Sequence, residues 1–135
     1  MTVRDSESFL RQILFADGIV SGATGLLLAV GAPLAAPLLG LPPAFWLGAG
    51  AFLVAFGVTV VVMSRSAWLS PAAARTVVAA NLAWVGASIA LAALGPESMT
   101  GLGRAFVVLQ ALVVGVLAEL QIVALRRAVL RPRAA

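Results

Sequence analysis

Asp17, Thr59, Asn81 and Glu119 are polar side chains set inside long apolar stretches, each six or seven residues from an arginine. Asp17 follows Arg11 and Asn81 follows Arg75, while Thr59 precedes Arg65 and Glu119 precedes Arg126. At ~1.5 Å per helical residue, each lies roughly 9–10 Å along an axis from its arginine. If the arginines mark one membrane surface, the four side chains form a layer at one depth. A carboxylate exposed to hydrocarbon costs several kcal/mol, so such groups face protein or water. One reading is therefore a polar pocket that binds a proton, a cation or the head of an amphipathic solute. The other is packing glue, with Asp17 and Glu119 paired to Arg11, Arg75 or Arg126, or hydrogen-bonded to Asn81. Helical spacing adds Ser21 and Thr24 to the face of Asp17, and Trp84 and Ser88 to that of Asn81.

Composition removes most other chemistry. The chain has no cysteine and no histidine. Disulfides and thiolate sites are thereby excluded, along with the commonest metal ligand and general base. No catalytic triad, phosphate loop or dinucleotide fingerprint is present; the Gly101-Leu102-Gly103 run follows no strand. A non-enzymatic protein without metal or cofactor is expected. Net charge is +4, but the arginines stand mostly at the ends of apolar stretches rather than as one basic face, so nucleic acid is not an expected partner.

Hydrophobic residues make up 62% of the chain and charged residues 10%, with mean hydropathy +1.10. A soluble domain is nearer half apolar and a quarter charged. The expected fold is all-α and polytopic, with four transmembrane helices over about 9–30, 44–63, 75–94 and 102–125. Ser6 or Ser8 is placed to cap the first, and Gly31 with Pro33 to end it. The proline-rich segment 32–43 reads as interfacial, with Trp46 and Trp68 as headgroup-level anchors. Ser70-Pro71 reads as an N-cap and first helical residue. Glu97 and Arg104 read as partners of each other or of headgroups. Residues 126–135 form a basic tail. Asp5, Glu7 and Asp17 argue against a cleaved targeting signal, so the first helix reads as retained.

Arg4, Arg11, Arg65, Arg75, Arg126, Arg127, Arg131 and Arg133 fall on one side of this arrangement and Arg104 on the other. The positive-inside rule then puts both termini in the cytoplasm of a bacterial inner (plasma) membrane, with Arg11, Arg65, Arg75, Arg126 and Arg127 as topology or headgroup determinants. Residues 11–31 also match 75–95 at an offset of 64, pairing Arg11 with Arg75, Asp17 with Asn81, Gly22 with Gly86 and Thr24 with Ser88. That pattern reads as a duplicated helical hairpin, a parallel repeat. Gly18, Gly22, Gly25 and Gly86 are the expected points of close helix packing. Gln110 and Glu119 face opposite ways on one helix, so one of them marks a contact outside the bundle.

Arg11, Ala16-Asp17, Ser21-Gly22, the LLGLPP run at 38–43, Asn81-Leu82-Ala83-Trp84 and Ala118-Glu119-Leu120-Gln121 together resemble a group of small bacterial four-helix membrane proteins. More distantly, the chain is similar to the DoxX-like proteins. The resemblance implies architecture and an accessory role, and no catalytic residue. The expected function is that of a non-enzymatic integral membrane protein in the lipid bilayer, a homo-oligomer or an accessory subunit of a larger membrane complex. The alternative is a small transporter or binder acting through Asp17, Asn81 and Glu119.

Overall fold

A computed structural model describes residues 3–67 and 69–129; Trp68 and the arginines of the tail beyond Val129 lie outside them. Its elements are four helices: α1 (Val3–Leu39), α2 (Pro43–Arg65), α3 (Pro71–Leu94) and α4 (Gly101–Val129). All four are long and apolar enough to cross a membrane, and no strand occurs among the described residues. Leu27, Val30, Leu34 and Leu94 are among many large apolar side chains that point outward. Water would not tolerate such a surface, and lipid does. The chain is a multi-pass integral membrane protein.

The helices run alternately up and down. Leu10, Leu14, Val60, Ala74, Val77, Ala124 and Leu125 form one apolar cluster at the end that carries the starts of α1 and α3. Ala32, Leu39, Leu41, Trp46, Met99 and Val107 form a second at the opposite end, where α1 meets α2 and α3 meets α4. We call these the terminal end and the loop end. Packing is close between α1 and α2, α3 and α4, and α1 and α4. The seam between α2 and α3 stays open, bridged by the stacked rings of Phe52 and Trp84 at 5.6 Å.

α1 departs furthest from expectation. It starts upstream of Ser6 and Ser8, so neither caps it, and it runs through Gly31, Pro33 and Pro37 to Leu39. Segment 32–39 is helix rather than a broken interfacial stretch. Both prolines stand on the exposed side, while Ala32 and Leu39 on the other side are buried in the loop-end cluster. Tertiary packing there outweighs the hydrogen bonds that proline removes. The helix stops at Gly40, whose φ of 85° favours glycine and whose N–H reaches the Ala36 carbonyl at 2.9 Å. At 37 residues α1 is about 55 Å long, well beyond a hydrocarbon core of about 30 Å.

Capping at the other ends is specific. Ser70 caps α3, accepting from the Ala73 N–H at 3.1 Å, with Pro71 as its first residue. Thr100 caps α4 by accepting from the Gly103 N–H and donates to the Leu38 carbonyl, tying the end of α1 to the start of α4. Arg11 donates to the carbonyls of Ser64 and Ser66 at the end of α2 and pairs with Glu7 at 3.2 Å. Arg104 does the same for α3, donating to Ala92 and Gly95 carbonyls rather than pairing with Glu97. Both arginines supply donors and positive charge where a helix exposes carbonyls. Arg65 instead lies over the Phe15 ring, 4.7 Å from its centroid.

α1 and α2 meet through glycine on both sides. A Cβ at Gly57 would stand 2.5 Å from the Gly18 oxygen and 2.6 Å from the Gly22 nitrogen, and one at Gly25 would stand 2.6 Å from the Gly50 oxygen. Gly18 and Gly25 thus pack closely against Gly57 and Gly50 on α2, while Gly22 offers its backbone to Gly57 and has open space at its own Cβ position. Gly86 does not serve as expected: no atom lies within 4 Å of its would-be Cβ, and the residue faces outward. We expect Gly57→Ala to destabilise the fold by about 1–3 kcal/mol through overpacking. Gly86→Ala should be neutral or stabilising by up to about 1 kcal/mol from helix propensity. Unfolding titrations in mixed micelles compare the two, and equal effects would contradict the close approach of α1 to α2.

Candidate functional site

Asp17 is the centre of the polar structure. The turn-by-turn apolar sequence of α1 holds its side chain inside the bundle, fully buried. Its Oδ2 accepts from Asn81 Nδ2 on α3 at 2.7 Å and from Gln121 Nε2 on α4 at 2.7 Å. Its Oδ1 accepts from Ser21 Oγ at 3.2 Å, one turn further along α1. Asn81 Nδ2 also approaches Gln121 Oε1 at 3.2 Å, closing a ring of three side chains from three helices. Ser21, Asn81 and Gln121 are all buried. No arginine is among these partners. Ion pairing by Arg11, Arg75 or Arg126 is thereby replaced by neutral donors.

Two expected members of the layer lie elsewhere. Glu119 is exposed on the outer side of α4. It stands two residues from Gln121, about 200° away around the helix, so similar depth does not bring it inside. Thr59 is likewise exposed on α2, and its hydroxyl donates to the Ala55 carbonyl of its own helix at 2.8 Å. The layer therefore contains one carboxyl group rather than two, and Gln121 takes the place given to Glu119. Gln121 had a legible signal: it lies eleven residues from Gln110, within about 20° of the same face.

A second polar group sits seven residues further along α3. Trp84 Nε1 donates to Gln110 Oε1 at 2.9 Å, and Gln110 Nε2 donates to Ser88 Oγ at 2.9 Å. Ser88, the residue matched to Thr24 at the offset of 64, is buried. Gln110 thus points inward, while Glu119 faces away from the bundle.

The two groups differ in the space beside them. The gap lined by Ser21 and Asn81 measures about 20 Å³, room for about one water molecule. Nearer the loop end, the open seam between α2 and α3 widens into a cavity of about 560 Å³. Phe45, Trp46, Trp84 and Phe106 contribute its aromatic walls, with Thr24, Ser88 and Gln110 as its polar lining. Trp46 is buried against Phe45 and Phe106 instead of standing at headgroup level, and its indole N–H has no acceptor among the described residues. The Asp17 ring is packed; the seam cavity is roomy and mostly apolar, with few polar groups, as small-molecule sites are.

No protein-family model, curated protein or solved structure matches the chain.

Removing the Asp17 carboxylate leaves Asn81 and Gln121 without their shared acceptor. Asp17→Ala is expected to destabilise the fold by about 1–3 kcal/mol, the cost of unmade buried hydrogen bonds. A double-mutant cycle with Asn81→Ala should give a coupling of about 0.5–2 kcal/mol. The same cycle with Glu119→Ala should give none, and a comparable coupling there would contradict its outward placement.

Proposed function

We propose that this protein is a non-enzymatic subunit of a membrane assembly, joined to another copy of itself or to a different membrane polypeptide through the outer face of α4. The observation that supports this reading is the position of Glu119. Among the described residues it has no hydrogen bond or ion pair, and it is exposed about 10 Å inward from Arg126 along the helix. A carboxylate at such a depth is costly against lipid and favourable against a polar partner. Leu112, Val116 and Val123, one and two turns away, continue its face with exposed apolar side chains. That face has the character of a helix–helix contact: an apolar stripe with one polar residue to fix partner and register.

A second reading is supported by the seam cavity. An uncharged or weakly amphipathic, membrane-soluble molecule would enter between α2 and α3 and lie against Trp84 and Phe106, its polar end near Gln110. This binding role does not use Asp17 or Glu119, so the two readings separate by mutation. Association is tested on the purified protein in mild detergent by mass and by co-purifying polypeptides. Glu119→Leu is expected to shift the assembly to the single chain, whereas Asp17→Asn should leave the assembly intact. A wild-type protein that is monomeric and free of partners would overturn the reading.

Both termini are proposed to face the cytoplasm of a bacterial inner membrane, on the arginine asymmetry. The absence of cysteine makes the test direct. With Ser98→Cys, a membrane-impermeant maleimide added to intact cells should label the protein. With Ala67→Cys, labelling should need permeabilised cells. The opposite pattern would invert the topology.

A further inference from the structure

We infer that the groove between α3 and α4 at the terminal end is a specific site for an anionic phospholipid. It is separate from the seam cavity and adjoins the Glu119 face, since Arg126 lies two turns past Glu119 on nearly the same side of α4. The groove holds about 660 Å³, and its rim carries Arg75 from α3 and Arg126 from α4. Both arginines are exposed, and neither takes part in a hydrogen bond or ion pair among the described residues. Arg11, Arg65 and Arg104 are already committed, to helix-end carbonyls or to the Phe15 ring. Arg75 and Arg126 are therefore cations with donors to spare, and no Asp or Glu lines the groove between them.

The rest of the groove fits the remainder of such a lipid. Val78, Leu82, Ile122 and Val129 line it, so an apolar channel adjoins the cationic rim. A guanidinium is suited to bidentate contact with a phosphate, and two from adjacent helices can hold one phosphodiester between them. The acyl chains would then lie along α3 and α4, with their first methylenes against Val78 and Leu82. A free anion would use the arginines but gain nothing from the channel. A zwitterionic lipid would fill the channel, but its own cationic group would oppose the arginine pair. Basic pockets between membrane helices bind anionic headgroups on this logic.

The full chain, purified in mild detergent, is titrated with phosphatidylglycerol, with phosphatidylcholine of the same chains, and with inorganic phosphate, and bound lipid is read by native mass spectrometry. We expect phosphatidylglycerol to bind at least tenfold more tightly than phosphatidylcholine, and millimolar phosphate not to displace it. The double variant Arg75→Gln/Arg126→Gln should lose at least tenfold in phosphatidylglycerol affinity. Ala79→Phe, which narrows the groove and keeps both charges, should also weaken binding. Arg65→Gln, at the same end but outside the groove, should bind as wild type. Equal affinity for the two lipids, displacement by phosphate, or an equal loss in Arg65→Gln would each overturn the inference.

Discussion

The Oδ2 atom of Asp17 accepts from α3 and α4 at once, and the architecture depends on that shared acceptor. In lipid, apolar surface gives helices little reason to prefer one another over the surrounding chains, so packing and interhelical hydrogen bonds must select the arrangement. Asn81 and Gln121 each reach Asp17 at 2.7 Å from a different helix, fixing the rotation of α1, α3 and α4 together. A register shift of one residue on any of the three would turn its polar group roughly 100° away and leave the others buried without partners. The ring therefore rejects alternatives as much as it stabilises the native packing. α2 stands outside this network and is held differently, by glycine contacts along α1 and by Arg11 over its last carbonyls.

This division explains the open seam. α2 is fastened to α1 and α3 is fastened to α4, while the Asp17 ring joins α1 to the other pair. Among the described residues no side-chain hydrogen bond joins α2 to α3, which meet through Val60, Ala74 and Val77 in the terminal-end cluster. Phe52 on Trp84 is their ring contact, and Trp84 is itself anchored to Gln110. Space left at the loop end becomes the cavity under Trp46 and Phe106. The polar groups of the bundle thus play two parts. Those near the terminal end are consumed in packing, whereas Gln110 and Ser88 stand at the wall of a volume large enough to hold something.

Much of this was legible in the chain itself. Length and hydropathy give the four helices, and Ser70-Pro71 gives the start of α3. The match of Asp17 with Asn81 at an offset of 64 singles out two side chains that bond to each other. The match does not extend to shared surroundings, for Arg11 is engaged and Arg75 is exposed, and the Gly22 backbone meets Gly57 while Gly86 faces outward. Depth singles out Glu119, which carries the charge, whereas Gln121 at nearly the same depth is the residue that reaches Asp17. Depth was the right coordinate for α1 and α3, but on α4 the angle decides. Pro33 and Pro37 concealed the last turns of α1 because local breakers cannot reveal the packing that overrides them.

The rotation of side chains about α4 also sets the direction of Glu119. Eleven residues bring Gln110 and Gln121 onto one face, and that face is filled by Trp84, Ser88, Asn81 and Asp17. Gln121 turns inward, so an acid two residues before it, about 200° round the helix, looks away from the bundle. A leucine there would satisfy a monomer in lipid at lower cost, and its neighbours Val116, Leu120 and Val123 show that apolar residues suit this surface. A carboxylate kept at that point is expensive for the isolated chain, and the expense falls only if another polar surface meets it. The inward polar residues hold the fold of one chain, and Glu119 on the outside is the residue on which the proposed assembly rests.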